Sequence, residues 1–325
     1  MARPADLAVV IPTLDRPRLL AQALRHLDRQ RGAAVGRFEV VIASDAASSA
    51  AVSLADLGAQ GAHPYPVTCL AAERPGASAA RNAGWRATDA PVVLFLGDDA
   101  FATRGLVSAH LDAHGRHPAD EVGVLGHVRW PRWPPPTAFM RWLDQGIQFD
   151  YRALEPGREV PWWHFYTVNA SAKRAMLERV GGFDEQRFPF LYEDLDLGAR
   201  MADHGLRLRY EPDALAMHFH RQGLAQWREG RVQLIAAAER RFCARHPQAR
   251  PYFRDLFAAA QEHPPARGRG ARLAAAVPRR TPWLGPRVWA SFDMRNRQAL
   301  AGPFLAAWDA AEDQEPALRS GPGGA

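Results

Sequence analysis

The apolar run Pro91-Val92-Val93-Leu94-Phe95-Leu96 ends abruptly on Gly97-Asp98-Asp99, and this junction limits the fold more than any other stretch. A run this apolar reads as a strand buried on both faces, which is the habit of parallel sheets covered by helices. Two adjacent carboxylates at its end repel each other and lose hydration unless a cation or hydrogen-bond donors compensate them. A divalent metal bridging a diphosphate is one such compensation, because Mg²⁺ takes one or two carboxylates together with phosphate oxygens. A plain turn or helix cap is the other reading.

The flanking sequence supplies the rest of the sheet. Leu7–Ile11, Phe38–Ala43 and Tyr65–Leu70 are short β-rich runs followed by turn residues. Pro17 to Gln30 carries a helical stripe at Leu19, Leu20, Ala23, Leu24 and Leu27, with Pro17 suited to the first turn and Asp15 near the cap. Ala77–Thr88 reads as the next helix. This alternation predicts an α/β fold, a Rossmann-like and mostly parallel central sheet flanked by helices. Ligands of such sheets bind beyond the carboxyl ends of the strands, where Pro12-Thr13, Ser44-Asp45 and Asp98-Asp99 fall. Further along, helices are expected over 101–114, 171–180 and 193–204, and strands over 121–128 and 206–210. Beyond Leu224 the chain reads as a helical extension with a frayed tail. The expected division is a domain over 1–222, in halves 1–100 and 101–222, followed by a basic extension over 223–325.

The chain has 325 residues and a formal charge of +6, which raises the question of nucleic acid. The surplus is local. Between Pro264 and Gly302 eight arginines face one acid, Asp293. Their interleaving with Trp283, Leu284, Val288, Trp289 and Phe292 suits peripheral contact with an anionic membrane, and packing of a helical extension is the alternative. No nucleic-acid partner is expected. Cys69 and Cys243 stand far apart and unaccompanied, so neither a disulfide framework nor a zinc site is indicated. No apolar stretch reaches the length of a membrane span and the N-terminus has no secretory pattern. A cytoplasmic location is expected, with the inner membrane face as a possible station. Five tryptophans between Trp130 and Phe165 read either as core or as the lining of an acceptor cleft.

The motifs, taken in order, resemble the inverting family 2 glycosyltransferases of the GT-A fold. The strand Val9–Arg16, Ser44-Asp45-Ala46-Ala47, the segment Gly76 to Gly84 with Ala80-Arg81-Asn82, Gly97-Asp98-Asp99, Gly181-Gly182-Phe183-Asp184-Glu185 and Glu193-Asp194-Leu195-Asp196-Leu197 carry this likeness over roughly residues 7–222. It implies transfer of a sugar from a nucleotide-diphospho-sugar to a polysaccharide, lipid-linked saccharide or secondary-metabolite hydroxyl, with Mg²⁺ or Mn²⁺ as cofactor. Residue by residue, it implies that Pro12, Thr13 and Asp45 surround the base, and that Arg81 sits by the nucleotide and helps hold Asp98. Asp98 contacts ribose and metal, and Asp99 is the main metal ligand. Asp194 is the general base. His218 faces the metal or diphosphate, while a structural pair of histidines with His220 is the alternative. Asn169, Glu193 and Trp163 fall on the acceptor side, and the resemblance makes 1–222 the catalytic domain, with a nucleotide-binding half 1–100 and an acceptor half 101–222.

Two departures from the pattern stand at Ser44 and Gly97, each replacing the first Asp of a pair. Two other functions compete. A nucleotidyltransferase acting on a sugar phosphate needs a basic Gly-rich loop after the first strand, where Pro12–Arg16 stands instead. A non-catalytic nucleotide-sugar-binding relative does not need both Asp99 and Asp194.

Overall fold

A computed structural model describes residues 5–48, 63–263 and 286–312. The chain divides into two units, Met1–Arg132 with Gln148–His220, and Trp133–Ile147 with Arg221–Ala325. Residues 133–147, expected in the acceptor half, therefore group with the C-terminal unit.

The first unit is a nine-stranded sheet with helices on both faces. Strands β1 (Leu7–Thr13), β2 (Phe38–Ser44), β3 (Val67–Ala71) and β4 (Val92–Leu96) pair in parallel in the order β3-β2-β1-β4. Their side chains alternate between two cores. Leu7, Val9 and Ile11 join Leu20 and Leu24 of helix α1 (Pro17–Leu27). Val10, Val93 and Phe95 join Trp85 of helix α2 (Ala77–Arg86). Gly84 lets α2 lie close on β1, since a Cβ there would stand 2.5 Å from a Val10 methyl. Pro17 opens α1 as expected, but Arg16 rather than Asp15 takes the cap position.

Beyond β4 the sheet becomes mixed. The chain adds β5 (Ala100–Ala102), helix α3 (Leu106–Arg116), β6 (Val122–Arg129), β7 (Glu159–Val160), β8 (Asn169–Lys173), helix α4 (Arg174–Val180), helix α5 (Glu193–Asp203) and β9 (Arg207–His218). Here β6 and β9 pair in parallel, and β8 runs antiparallel to both β4 and β6. Two expected helices thus begin late. Phe101 pairs with Met217 in β9 and stacks on Phe219 at 4.3 Å, while Ala170 and Ala172 sit wholly buried in β8. Short runs of small residues carry no period that separates a buried strand from a helix.

The expected strand over 206–210 extends to His218. Pairing with β6 jumps from Gly126–Glu211 to His127–Leu215, so Pro212–Ala214 bulge out of register. A proline that reads as a strand breaker is accommodated at such a bulge. The consequence is functional, because the continuation of β9 carries His218.

The second unit is helical, over Ala138–Leu143, Leu224–Gln226, a π-helical Trp227–Arg231, Val232–Arg245, Tyr252–Glu262 and Pro286–Glu312. Trp142, Phe257 and Phe304 are buried in it, and both oxygens of buried Glu239 accept the free N–H groups of Phe253 and Arg254 at a helix start. Of the basic stretch 264–302, residues 286–302 belong to the last helix. Within that helix Leu300 and Ala301 are buried and Arg297 pairs with Asp293 at 2.8 Å, which is the packed-extension alternative for this part. Residues 264–285, Trp283 and Leu284 among them, and the expected frayed tail beyond residue 312 lie outside the described residues. No described helix is long and apolar enough to cross a membrane.

Candidate active site

The carboxyl ends of β1 and β4 and the end of β9 bring six side chains into one cluster. Thr13 Oγ1 donates to Asp98 Oδ2 at 2.8 Å. Arg16 Nη1 lies 3.2 Å from Asp98 Oδ1 and 3.0 Å from Asp99 Oδ2. His218 Nε2 lies 3.3 Å from Asp99 Oδ1, and His220 Nδ1 lies 3.0 Å from Asp99 Oδ2. The two histidines are two residues apart at the end of a strand, so they reach the same side. His218 is held flat against Trp130 at 5.2 Å, with Phe149 edge-on.

Charge in this cluster is unevenly shared. Burial pushes the Asp98 carboxyl up to about 6, the Asp99 charge adds to this, and Arg16 and Thr13 oppose it. Burial alone would raise Asp99 as well. The hydrogen bonds and charges of His218 and His220 overrule it and hold Asp99 well below the usual carboxylate range. One ionised carboxylate beside two imidazoles is a ligand set. The Asp99, His218 and His220 ligand atoms all lie within 4.8 Å of one another, and the mixture of oxygen and nitrogen donors suits a first-row divalent ion better than Mg²⁺, which prefers oxygen throughout.

A second cluster forms around the acids of α5. Arg81 Nη1 donates to Glu193 Oε1 at 2.8 Å, and its guanidinium lies over Phe183 at 5.6 Å. Asp194 accepts the Leu195 N–H at 2.9 Å. Burial, and then the Glu193 charge, push its carboxyl up to about 7 against the pull of Arg81. The turn that delivers these acids is strained, since Leu191 and Tyr192 both have φ of +64°. Asp196 pairs with Arg200 one turn on.

The glycine-rich segment joins the two halves. Asn82 Nδ2 donates to the Phe183 carbonyl at 2.9 Å and to Glu185 Oε1 at 2.7 Å, and its Oδ1 accepts from Phe183 N–H and Trp85 Nε1. Ser78 Oγ donates to the Phe188 carbonyl. Asp45 reaches across to Gly76, accepting its N–H at 2.9 Å and that of Ala47 at 2.8 Å. A Cβ on Gly76 or Gly182 would run into Pro189 or Asn82 at 2.6 or 2.4 Å. The small residues of both motifs are therefore required by contact between α2 and the turn before Asp194.

Three expectations change. Arg16, not Arg81, is the guanidinium that pairs with Asp98, and Arg81 is engaged by Glu193 instead. Asn169, expected on the acceptor side, is fully buried. Its amide donates to the His127 and Ala214 carbonyls at 3.1 and 2.7 Å, and its oxygen meets His110 Nε2 at 3.1 Å. It fills the bulge of β9, beside a His110 that burial lowers to about 4 and so keeps neutral. The histidine facing Asp99 is a pair, His218 with His220, rather than His218 alone. Pro12 is partly exposed beside Thr13, and Trp163 is half exposed on the short turn Trp162–His164. Arg16 carries no local sequence signal beyond its place directly after the first strand's turn. Asn82 lay inside a quoted motif, but its partner turn a hundred residues away has no local signature.

Comparison with known proteins adds an independent line. The family model described as glycosyl transferase family 2 matches residues 8–180. A validoxylamine A glucosyltransferase of Streptomyces hygroscopicus subsp. jinggangensis is 28% identical over 273 residues, covering 75% of this chain and 62% of its own length. A pre-mycofactocin glycosyltransferase of Mycobacterium tuberculosis is 32% identical over 178 residues, 53% of this chain and 36% of its own. The chain thus spans less than two thirds of the length of these relatives. Among solved structures, mannosyltransferase PcManGT from Pyrobaculum calidifontis, in complex with GDP-Man and Mn²⁺, matches with a TM-score of 0.57 at 20% identity, covering 95% of this chain and 90% of that one. S. aureus TarS 1–349 in complex with UDP-GlcNAc gives 0.52 at 14% identity, covering 95% and 92%. These two likenesses bear on the fold, which is that of the GT-A glycosyltransferases.

Proposed function

The chain belongs to glycosyl transferase family 2, and on that premise we propose that it moves a sugar from a nucleotide-diphospho-sugar to an acceptor hydroxyl, with inversion and with a divalent metal. The observation that carries this reading is the separation of two acidic centres with different electrostatics. Asp99 is held ionised by two histidines, and Asp194 is held near neutrality by burial. The first suits a ligand to a cation. The second suits a base, whose best pKa lies near the working pH.

Asp99, His218 and His220 would hold the ion, and Mn²⁺ fits their donors better than Mg²⁺. When bound, it supplies Lewis-acid stabilisation of charge on the departing diphosphate. Thr13 and Asp98 orient the nucleotide end of the donor. Asp194 accepts the proton of the acceptor hydroxyl as that oxygen forms a bond to the anomeric carbon and the bond to the diphosphate breaks. A single displacement of this kind inverts configuration, as in the inverting glycosidases. The donor is a UDP- or dTDP-sugar, and the acceptor a polysaccharide, lipid-linked saccharide or secondary metabolite. Half-exposed Trp163 offers a ring face on the acceptor side. Peripheral contact with an anionic membrane through the basic stretch 264–302 is the further partner of this reading.

Release of nucleoside diphosphate from a panel of nucleotide sugars, with and without EDTA, tests the reading in wild type, Asp99→Ala and Asp194→Ala. EDTA and either substitution should lower turnover by about a hundredfold or more. Wild-type rates in both variants would refute the site, and donor binding without turnover in the wild type would favour a binding protein.

A further inference from the structure

Arg16 occupies an unusual station. Its Nη1 bridges Asp98 Oδ1 and Asp99 Oδ2 at 3.2 and 3.0 Å, and Asp99 Oδ2 is the same oxygen that His220 meets. A divalent ion drawn to Asp99 therefore competes with this guanidinium for one carboxylate. Like charges at such short range oppose each other strongly.

The backbone under Arg16 is fixed while its side chain is not. Arg16 is the cap residue of α1, preceded by Asp15 at φ +50°, and its side chain is 41% exposed. Both carboxylates are buried and need a cation, but the guanidinium end of the pair reaches solvent, so rotamer changes carry it away once another cation takes its place. Its planar fork of donors fits phosphate as well as carboxylate. It stands beside Thr13 and Asp98, at the strand ends where a nucleotide is expected to lie.

The geometry points to Arg16 as an exchangeable counterion that couples metal and donor binding. In the ligand-free chain it neutralises the Asp98–Asp99 pair. When a divalent ion takes Asp99, the guanidinium is released to the donor diphosphate, so each ligand favours the other. The coupling is reciprocal by linkage. This inference rests on the nucleotide-sugar reading of the same site.

Calorimetric titration of Mn²⁺, without nucleotide and then with saturating UDP or GDP, tests it in wild type, Arg16→Gln and Arg16→Lys. Without nucleotide, Arg16→Gln should bind Mn²⁺ about tenfold more tightly than wild type, as loss of one repelling charge requires. Nucleotide should strengthen Mn²⁺ binding in wild type by about tenfold more than it does in Arg16→Gln, with Arg16→Lys between them. Equal or weaker Mn²⁺ binding by Arg16→Gln, or unchanged coupling, overturns the inference. Failure of the wild type to bind both Mn²⁺ and nucleotide overturns the donor reading itself, a different and separable result. Ligand-free Arg16→Gln should melt below wild type, because buried Asp98 and Asp99 lose a shared cation, with Arg16→Lys closer to wild type.

Discussion

The Arg81 guanidinium donates to Glu193 Oε1 over 2.8 Å, which ties the helix of the Gly76–Gly84 segment to the first residue of the helix that bears Asp194. Both partners are largely buried, with side chains 12% and 9% exposed. The pair therefore sets the charge felt by Asp194 as well as its place. Glu193 raises the Asp194 carboxyl and Arg81 opposes it.

Replacing Arg81 by Ala should move the acidic limb of the pH–rate profile to higher pH, because the opposing positive charge is lost. The turnover number at pH 7 should fall by about tenfold or more, since a buried Glu193 left unpaired also disturbs the turn. Arg81→Lys should recover part of both effects. A pH–rate series with the three proteins measures this, and an unmoved limb would detach Arg81 from the base.

The Asp194 carboxyl at about 7 lies above its ordinary value of 3.8, so the native state holds a proton there that the unfolded chain releases between those values. The stability cost of ionisation is absent below about pH 4, grows as pH rises, and is complete above about pH 7. Asp194→Asn should accordingly stabilise the protein at pH 8 by about 1–3 kcal/mol, with little gain at pH 4, while activity is lost. Urea unfolding at the two pH values reads the difference.

Gly182 has φ of +74°, and a Cβ there would stand 2.4 Å from Asn82 Oδ1. Gly182→Ala should cost about 2–4 kcal/mol, from backbone strain and displacement of the Asn82 amide. Because Asn82 holds the turn leading to Asp194 rather than the donor end, nucleotide affinity should survive better than turnover. Comparing UDP binding with kcat distinguishes this from general loss of fold.

Asn169→Ala should cost about 2–4 kcal/mol by removing the amide donor from the His127 and Ala214 carbonyls and the oxygen that faces His110 Nε2. It should also weaken Mn²⁺ binding, because the bulge it fills leads β9 to His218. Mn²⁺-induced thermal stabilisation should shrink in this variant and vanish in Asp99→Asn. Full stabilisation in Asn169→Ala would confine the residue to a structural part.

Much of the fold was legible because parallel strands buried on both faces write themselves as continuous apolar runs. Leu7–Ile11, Phe38–Ala43 and Val92–Leu96 needed no tertiary information, and their polar ends marked where ligands bind. The antiparallel half was less legible. Ala100–Ala102 and Asn169–Lys173 are strands by virtue of their neighbours, and Pro212 concealed a strand that continues through a bulge.

The sequence by itself determined the residue types of the chemistry. Two carboxylates after a buried strand, acids at a helix start and small residues on the helix between them are local patterns with local physical causes. Only the tertiary structure decided which charges meet. Arg16 rather than Arg81 faces Asp98, His220 joins His218 on Asp99, and Asn169 turns inward to fill a bulge. Each of these outcomes depends on side chains brought together from some 80 to 120 positions apart or from opposite sides of a bulge. No periodicity or spacing along the chain encodes that distance. It is settled by the packing of α2 on β1 and by the register of β9.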